Sequence, residues 1–69
     1  MKIGARNRLE GKVTDIKQGG VMCQVKVQLP GGPEMESVMT IDSLHDLGIK
    51  IGDTVRIAVK AVNVMLLKD

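Results

Sequence analysis

The chain of 69 residues carries one imidazole, His45, and one thiol, Cys23. Nucleophilic catalysis needs Ser, Cys or Thr beside a base. His45 lies next to Asp46 in a stretch of helical spacing, where an exposed histidine beside a solubilising acid is the ordinary arrangement. Cys23 falls in the apolar register of a strand and reads as a small buried hydrophobe. A single Cys with a single His builds neither a zinc site nor an intrachain disulfide. Glu34 and Glu36 share one face of a strand, as an acid/base pair would, but directly after a turn they read as a charged edge that discourages sheet-to-sheet pairing. Met22, Met35, Met39 and Met65 do not keep one register and suit gap filling in a core or interface better than a soft-metal cluster. No enzyme emerges from these residues. What remains is a set of donors: Arg6, Thr40, Ser43 and Lys60. Hydroxyls, cationic side chains and N–H groups near a helix start are the components of an anion site. Helix caps and solvated cations account for the same residues, and spacing alone does not choose between them.

The elements that must position these donors are strands. From Val21 to Leu29 the apolar set Val21, Cys23, Val25, Val27, Leu29 alternates with Met22, Gln24, Lys26, Gln28, the period of a strand with one buried face. A strand from about Arg8 to Ile16 precedes it, and Lys17-Gln18-Gly19-Gly20 forms a hairpin in which paired glycines permit positive φ. Pro30-Gly31-Gly32-Pro33 turns the chain again, and a third strand runs from roughly Met35 to Ile41. Asp42 to Gly48 reads as about one helical turn, with Asp42 as N-cap, Leu44 and Leu47 on one face and Gly48 at the C-terminal cap. After Ile51-Gly52-Asp53, Thr54–Ala61 makes a fourth strand and Val62–Leu67 a fifth. The order β-β-β-α-β-β is that of an all-β, OB-like five-stranded barrel with one short helical turn between strands 3 and 4.

Such a fold takes many ligands, and composition narrows them. There is no Phe, Tyr or Trp, so bases, sugars and ring cofactors find no stacking platform. A core of Val, Ile, Leu, Met and Ala in so short a chain is marginal alone, which points to oligomerisation. The net charge of +2 comes from 10 basic and 8 acidic residues with the signs interspersed, unlike a phosphate-tracking surface. The N-terminus has no apolar leader, and the most apolar stretch, Val55 to Leu67, is broken by Arg56, Lys60 and Asn63. A soluble cytoplasmic protein without nucleic-acid or membrane partners is expected.

Three separated motifs sharpen the anion reading. Ile3-Gly4-Ala5-Arg6-Asn7-Arg8-Leu9-Glu10-Gly11-Lys12-Val13, then Thr40-Ile41-Asp42-Ser43-Leu44 with Leu47-Gly48, then Val59-Lys60-Ala61 with Val64-Met65 resemble the molbindins, small proteins built from one Mop domain. The likeness runs over essentially the whole chain, residues 1–69, in order. The same domain resembles the ligand-binding half of molybdate-responsive regulators and an accessory domain of molybdate-transporter ATPases. The resemblance implies a hexamer, a trimer of dimers with exchanged strands, that binds molybdate or tungstate in the cytoplasm for molybdenum storage or homeostasis. It implies no cofactor and no bare metal ion. Carried over residue by residue, the family's intersubunit oxyanion site falls on Ala5, Arg6, Thr40, Ser43, Lys60 and Ala61. The family often has Ser where this chain has Gly4, which deletes one hydroxyl donor. A second oxyanion site through main-chain groups would fall on Gly19, Gly20 and Val21.

Two other readings stand beside this one. A small OB-type nucleic-acid module would use Lys12, Lys17, Lys26 and Arg56 on one face. A purely structural oligomerisation domain would have lost its anion site, with Gly4 as the trace.

Overall fold

The protein is described from a computed structural model covering residues 7–69. Four strands and one helix follow in the order β1 (Asn7–Gln18), β2 (Met22–Gln28), β3 (Glu34–Thr40), α1 (Ile41–Leu47) and β4 (Thr54–Val59), with a 3-10 turn at Ala61–Asn63. The strands form one curled antiparallel sheet in the order β3-β2-β1-β4.

The long strand β1 organises the sheet because it changes partner midway. Asn7 to Lys12 pairs with β4, from Asn7 opposite Val59 to Lys12 opposite Thr54. Lys12 to Gln18 pairs with β2, ending with Gln18 opposite Cys23. The register shifts between Val13 and Asp15. An extra residue of this kind bends a strand and raises its twist, and Thr14 stands at the bulge with its hydroxyl donating to the Lys26 carbonyl at 3.5 Å. Gly11 is buried where the partner changes, and a Cβ there would overlap Val27 Cγ1 and lie 3.0 Å from the Gln28 carbonyl oxygen. Absence of a side chain lets the neighbouring strand close over this point.

Strand alternation holds where β2 is paired: Cys23, Val25 and Val27 are buried while Gln24 and Lys26 are half-exposed. Val13 and Leu44 complete the core, and Ile16, Met39, Ile41, Ile49, Val55 and Ile57 pack around it. Val21 lies in the hairpin loop and is exposed, and Leu29 is half-buried just past the strand end. Neither Gly19 nor Gly20 has positive φ; among the described residues that conformation belongs to Gly31, Gly32, Gly48 and Gly52. The hairpin closes instead with Gly19 N–H donating to the Met22 carbonyl at 2.8 Å, so Gly20-Val21 is the loop.

The helix starts earlier than the sequence pattern suggests. Thr40, not Asp42, is the N-cap: its backbone is extended, with φ −71° and ψ 152°, and its side chain accepts from the Ser43 N–H. Asp42 then stands in the first turn, where a negative charge suits the helix dipole. Gly48 ends the helix in the left-handed region with φ 66°, a cap open to glycine at no steric penalty. Leu44 anchors the helix to the sheet, whereas Leu47 stays exposed.

The fifth strand expected at Val62–Leu67 is not formed in the single chain, and the fourth ends at Val59 rather than Ala61. A strand exists only in a ladder, and this segment has no ladder partner among the described residues. Val62, Leu66 and Leu67 are 88–92% exposed. Among the described residues the sheet is therefore an open half-barrel that ends at β3 on one side and β4 on the other. Among the described residues no helix is long and apolar enough to cross a membrane.

Candidate functional site

At the junction of β3 and α1 two hydroxyls are locked together. Ser43 N–H donates to Thr40 Oγ1 at 3.1 Å, and Thr40 Oγ1 donates to Ser43 Oγ at 2.9 Å. Each hydroxyl has one proton. With Thr40 donating to Ser43 Oγ, the Ser43 hydroxyl keeps its own proton for a further acceptor, and Ser43 is exposed. The pair is both a helix cap and a donor presented to solvent.

The first hairpin folds onto the same place. Met22 sits opposite Thr40 in the β2–β3 ladder, and Ile41 N–H donates to the Val21 carbonyl at 2.8 Å. Beneath them the buried Cys23 thiol lies 3.9 Å from the Thr40 carbonyl. Of the three hairpin residues Gly19, Gly20 and Val21, Val21 is the one bonded to the start of α1. The Gly19 N–H is occupied by the hairpin closure, while Gly20 has nothing within 4 Å of where a Cβ would stand. The Val21 carbonyl's bond to Ile41 N–H is a link that residue types could not reveal, since every residue carries a carbonyl.

Lys60 and Ala61 lie elsewhere. Lys60 directly follows Val59, which pairs with Asn7 at the start of β1. Its carbonyl accepts from Asn63 N–H at 2.9 Å, and that of Ala61 from Val64 N–H at 3.1 Å, as the chain leaves the sheet in the 3-10 turn. Thr40 is level with Met22, beyond the opposite end of β1, whose Gln18 faces Cys23. Eleven steps of strand separate Asn7 from Gln18, about 36 Å of chain at ~3.3 Å per residue. Among the described residues no hydrogen bond joins the hydroxyl pair to the Lys60 end, and the two stand toward opposite ends of β1. Ala5, Arg6 and Gly4 lie outside the described residues.

The outer face of the sheet carries the charges in alternation. Glu10 is opposite Arg56, Lys12 opposite Gln28 and Thr54, and Lys17 opposite Gln24. Lys26 Nζ is 3.9 Å from Glu36 Oε1, and Gln24 Nε2 also donates to Glu36. Lys12, Lys17, Lys26 and Arg56 share a face, as the sequence suggests, but acids are interleaved with them, so their field falls off quickly. Both members of the Lys26–Glu36 pair are solvent-exposed, where such pairs contribute little stability.

The inner face is covered only in part. Leu44 seals the region over β2, but Leu47, Ile49, Val55 and Ile57 line an apolar groove of about 440 Å³ rimmed by Arg8 and Arg56. Close by in sequence, Val62, Met65, Leu66 and Leu67 are left largely uncovered by the described residues.

Comparison with known proteins fits this arrangement to a family. The TOBE-domain family model matches residues 4–66, and molybdenum-pterin-binding protein 3 of Clostridium pasteurianum is 40% identical over 67 residues, 97% of this chain and 98% of its own. The chain belongs to this family. The fold of the TOBE chain is also that of a molybdate-binding protein from Sporomusa ovata, with a TM-score of 0.91 and 41% identity over 99% of this chain and all of the other. ModG, described as a cytoplasmic molybdate-binding protein, matches with a TM-score of 0.88 and 37% identity over 94% of the TOBE chain, which spans 46% of the ModG chain.

Proposed function

We propose that this chain, acting as a single domain over residues 1–69, is a cytoplasmic binder of molybdate or tungstate for molybdenum storage or homeostasis. Its sites are completed between subunits of a hexamer, a trimer of dimers with exchanged strands. The observation that carries the reading is the separation of donors that resemble one shell: Thr40 and Ser43 beyond one end of β1, Lys60 and Ala61 at the other. A second chain, placed against this one, would bring the two halves together. Lys60 directly follows Val59, whose ladder partner is Asn7, and Arg6 is the residue before Asn7 in sequence. The groove beside β4 and the apolar segment after Asn63 supply matching surfaces for the exchange of chain ends.

Molybdate is a tetrahedral dianion with four acceptor oxygens and no proton at neutral pH. It asks for donors, and the set Arg6, Lys60, Ser43 and the backbone around Ala5 and Ala61 offers them. Two cations balance its charge where the interface excludes water. About five charge-assisted hydrogen bonds at ~1.5–3 kcal/mol each, less an association cost of several kcal/mol, leave roughly −8 kcal/mol, or micromolar binding. Such affinity suits a reversible buffer. No group in the set has to exchange a proton with the ligand, so no catalytic step is implied. The names of the relatives, which bind molybdate or molybdenum-pterin, support the ligand class. A buried free Cys23 is at home in a reducing compartment.

Titration calorimetry with molybdate, tungstate, sulfate and phosphate on one preparation tests the proposal. Heat with the first two and none with the others is expected, at a stoichiometry that scales with assembled protein. Silence with all four would leave a structural oligomerisation domain in its place.

A further inference from the structure

We propose that the tip of the first hairpin positions the Thr40–Ser43 hydroxyl pair through the hydrogen bond from Ile41 N–H to the Val21 carbonyl, and that this tether sets discrimination among tetrahedral oxyanions. The inference rests on the oxyanion reading of Thr40 and Ser43 and adds the groups that hold them. Thr40 does three things at once: it ends β3 opposite Met22, caps α1 and hands its proton to Ser43. The direction of the Ser43 proton therefore depends on where the backbone turns from extended to helical. That turn falls between Thr40 and Ile41, and the 2.8 Å bond to Val21 fastens it there. Both ends of the tether are backbone groups. Val21 is in a two-residue loop, Gly20-Val21, that carries no core side chain, for Val21 is itself exposed. Burial thus does not hold the tip; the Gly19–Met22 closure shapes it, and the bond to Ile41 ties it to the start of α1. A donor held within a few tenths of an ångström favours one anion size over another, whereas a donor free to swing meets large and small anions equally well.

Proline isolates this bond. Ile41 is the first helical residue, a position where proline is well accommodated because its φ fits and its missing N–H has no partner within the helix. The preceding residue must be extended, and Thr40 already is, at φ −71° and ψ 152°. Ile41→Pro therefore deletes the tether while keeping the cap. It also removes a half-buried side chain packed against the core, so it is read against Ile41→Ala, which shares that loss and keeps the N–H. A chain with one glycine inserted between Gly19 and Gly20 loosens the tip from the other side and decides the matter if Ile41→Pro does not fold.

The experiment is calorimetric titration of each protein with sodium molybdate, alone and against a large excess of sodium sulfate, so that sulfate affinity is read from its competition with molybdate rather than from heat of its own, alongside thermal melting. Loss of one hydrogen bond of ordinary strength corresponds to about a fivefold change. The ratio of molybdate to sulfate affinity is expected to fall by about that factor in Ile41→Pro relative to Ile41→Ala, and similarly in the glycine insertion relative to wild type. A purely structural role would lower melting temperature or the binding-competent fraction and leave the ratio unchanged. That result in a folded variant overturns the inference. If the wild type binds no molybdate, the oxyanion reading itself has failed; if it binds and the ratio does not move, only the tether has.

Discussion

Leu66 is 91% exposed in the single chain, so replacing it there should alter almost nothing. A surface substitution away from special features changes stability by no more than about 0.5 kcal/mol. If the segment from Val62 to Leu67 leaves its own chain and docks on the apolar groove of a partner, the same side chain is buried in the assembly and the arithmetic changes. A Leu side chain taken from water contributes about 1.5–3 kcal/mol. Exchange is reciprocal in a twofold pair, so each dimer contains two such contacts and loses about 3–6 kcal/mol on Leu66→Ala. At 1.4 kcal/mol per factor of ten, the dimer dissociation constant rises roughly 10²- to 10⁴-fold. Leu66→Asp should be worse, since Ile49, Val55 and Ile57 desolvate the carboxylate while the cations nearest to it, Arg8 and Arg56, stand exposed at the rim, where an ion pair offsets little of that loss. Sedimentation equilibrium across a micromolar range measures the association constant, and circular dichroism checks that the sheet persists. Unchanged association of Leu66→Asp, with the sheet intact, would refute the reasoning.

Other expectations follow from the same contacts. Gly11→Ala must push its Cβ into Val27 and toward the Gln28 carbonyl, and overpacking of this kind costs about 1–3 kcal/mol; the urea midpoint should drop with an unchanged slope, and an unmoved midpoint would show that β1 yields there. Thr40→Ala removes the cap of α1, worth about 1 kcal/mol, while Thr40→Ser keeps an acceptor for the Ser43 N–H; equal melting temperatures for the two would argue against the cap. Molybdate at about a hundred times its dissociation constant should stabilise the assembly by ~2.7 kcal/mol, and scanning calorimetry that finds no shift at millimolar molybdate would contradict the linkage.

Much of this was legible in the residues, for reasons that differ from place to place. The paired part of β2 could be read because alternation of Cys23, Val25 and Val27 against Gln24 and Lys26 is a direct image of a sheet with one buried face. The end of α1 could be read because Gly48 suits the left-handed cap. Its start could not, because Thr40 and Asp42 are both capping residues and the pattern does not say whether Ile41 is extended or helical. Val62–Leu67 has the composition of a strand, but composition reports only that a segment seeks a partner, not that its own chain supplies one. In the candidate site Thr40 and Ser43 were visible as an i, i+3 pair. Their link to the Val21 carbonyl was not, since backbone groups leave no mark in the residue types.

The central claim is that the oxyanion shell is shared between chains, and complementation tests it most directly. Thr40→Val with Ser43→Ala in one chain, and Arg6→Ala with Lys60→Ala in another, should each give oligomers that bind no molybdate. Unfolded together in equal amounts and refolded, the two chains assort at random, and about a quarter of the intersubunit sites receive an intact half from each. Calorimetry should then recover roughly that fraction of wild-type molybdate binding with wild-type affinity. No recovery from a mixed oligomer whose composition is verified by mass spectrometry would contradict a site built between subunits.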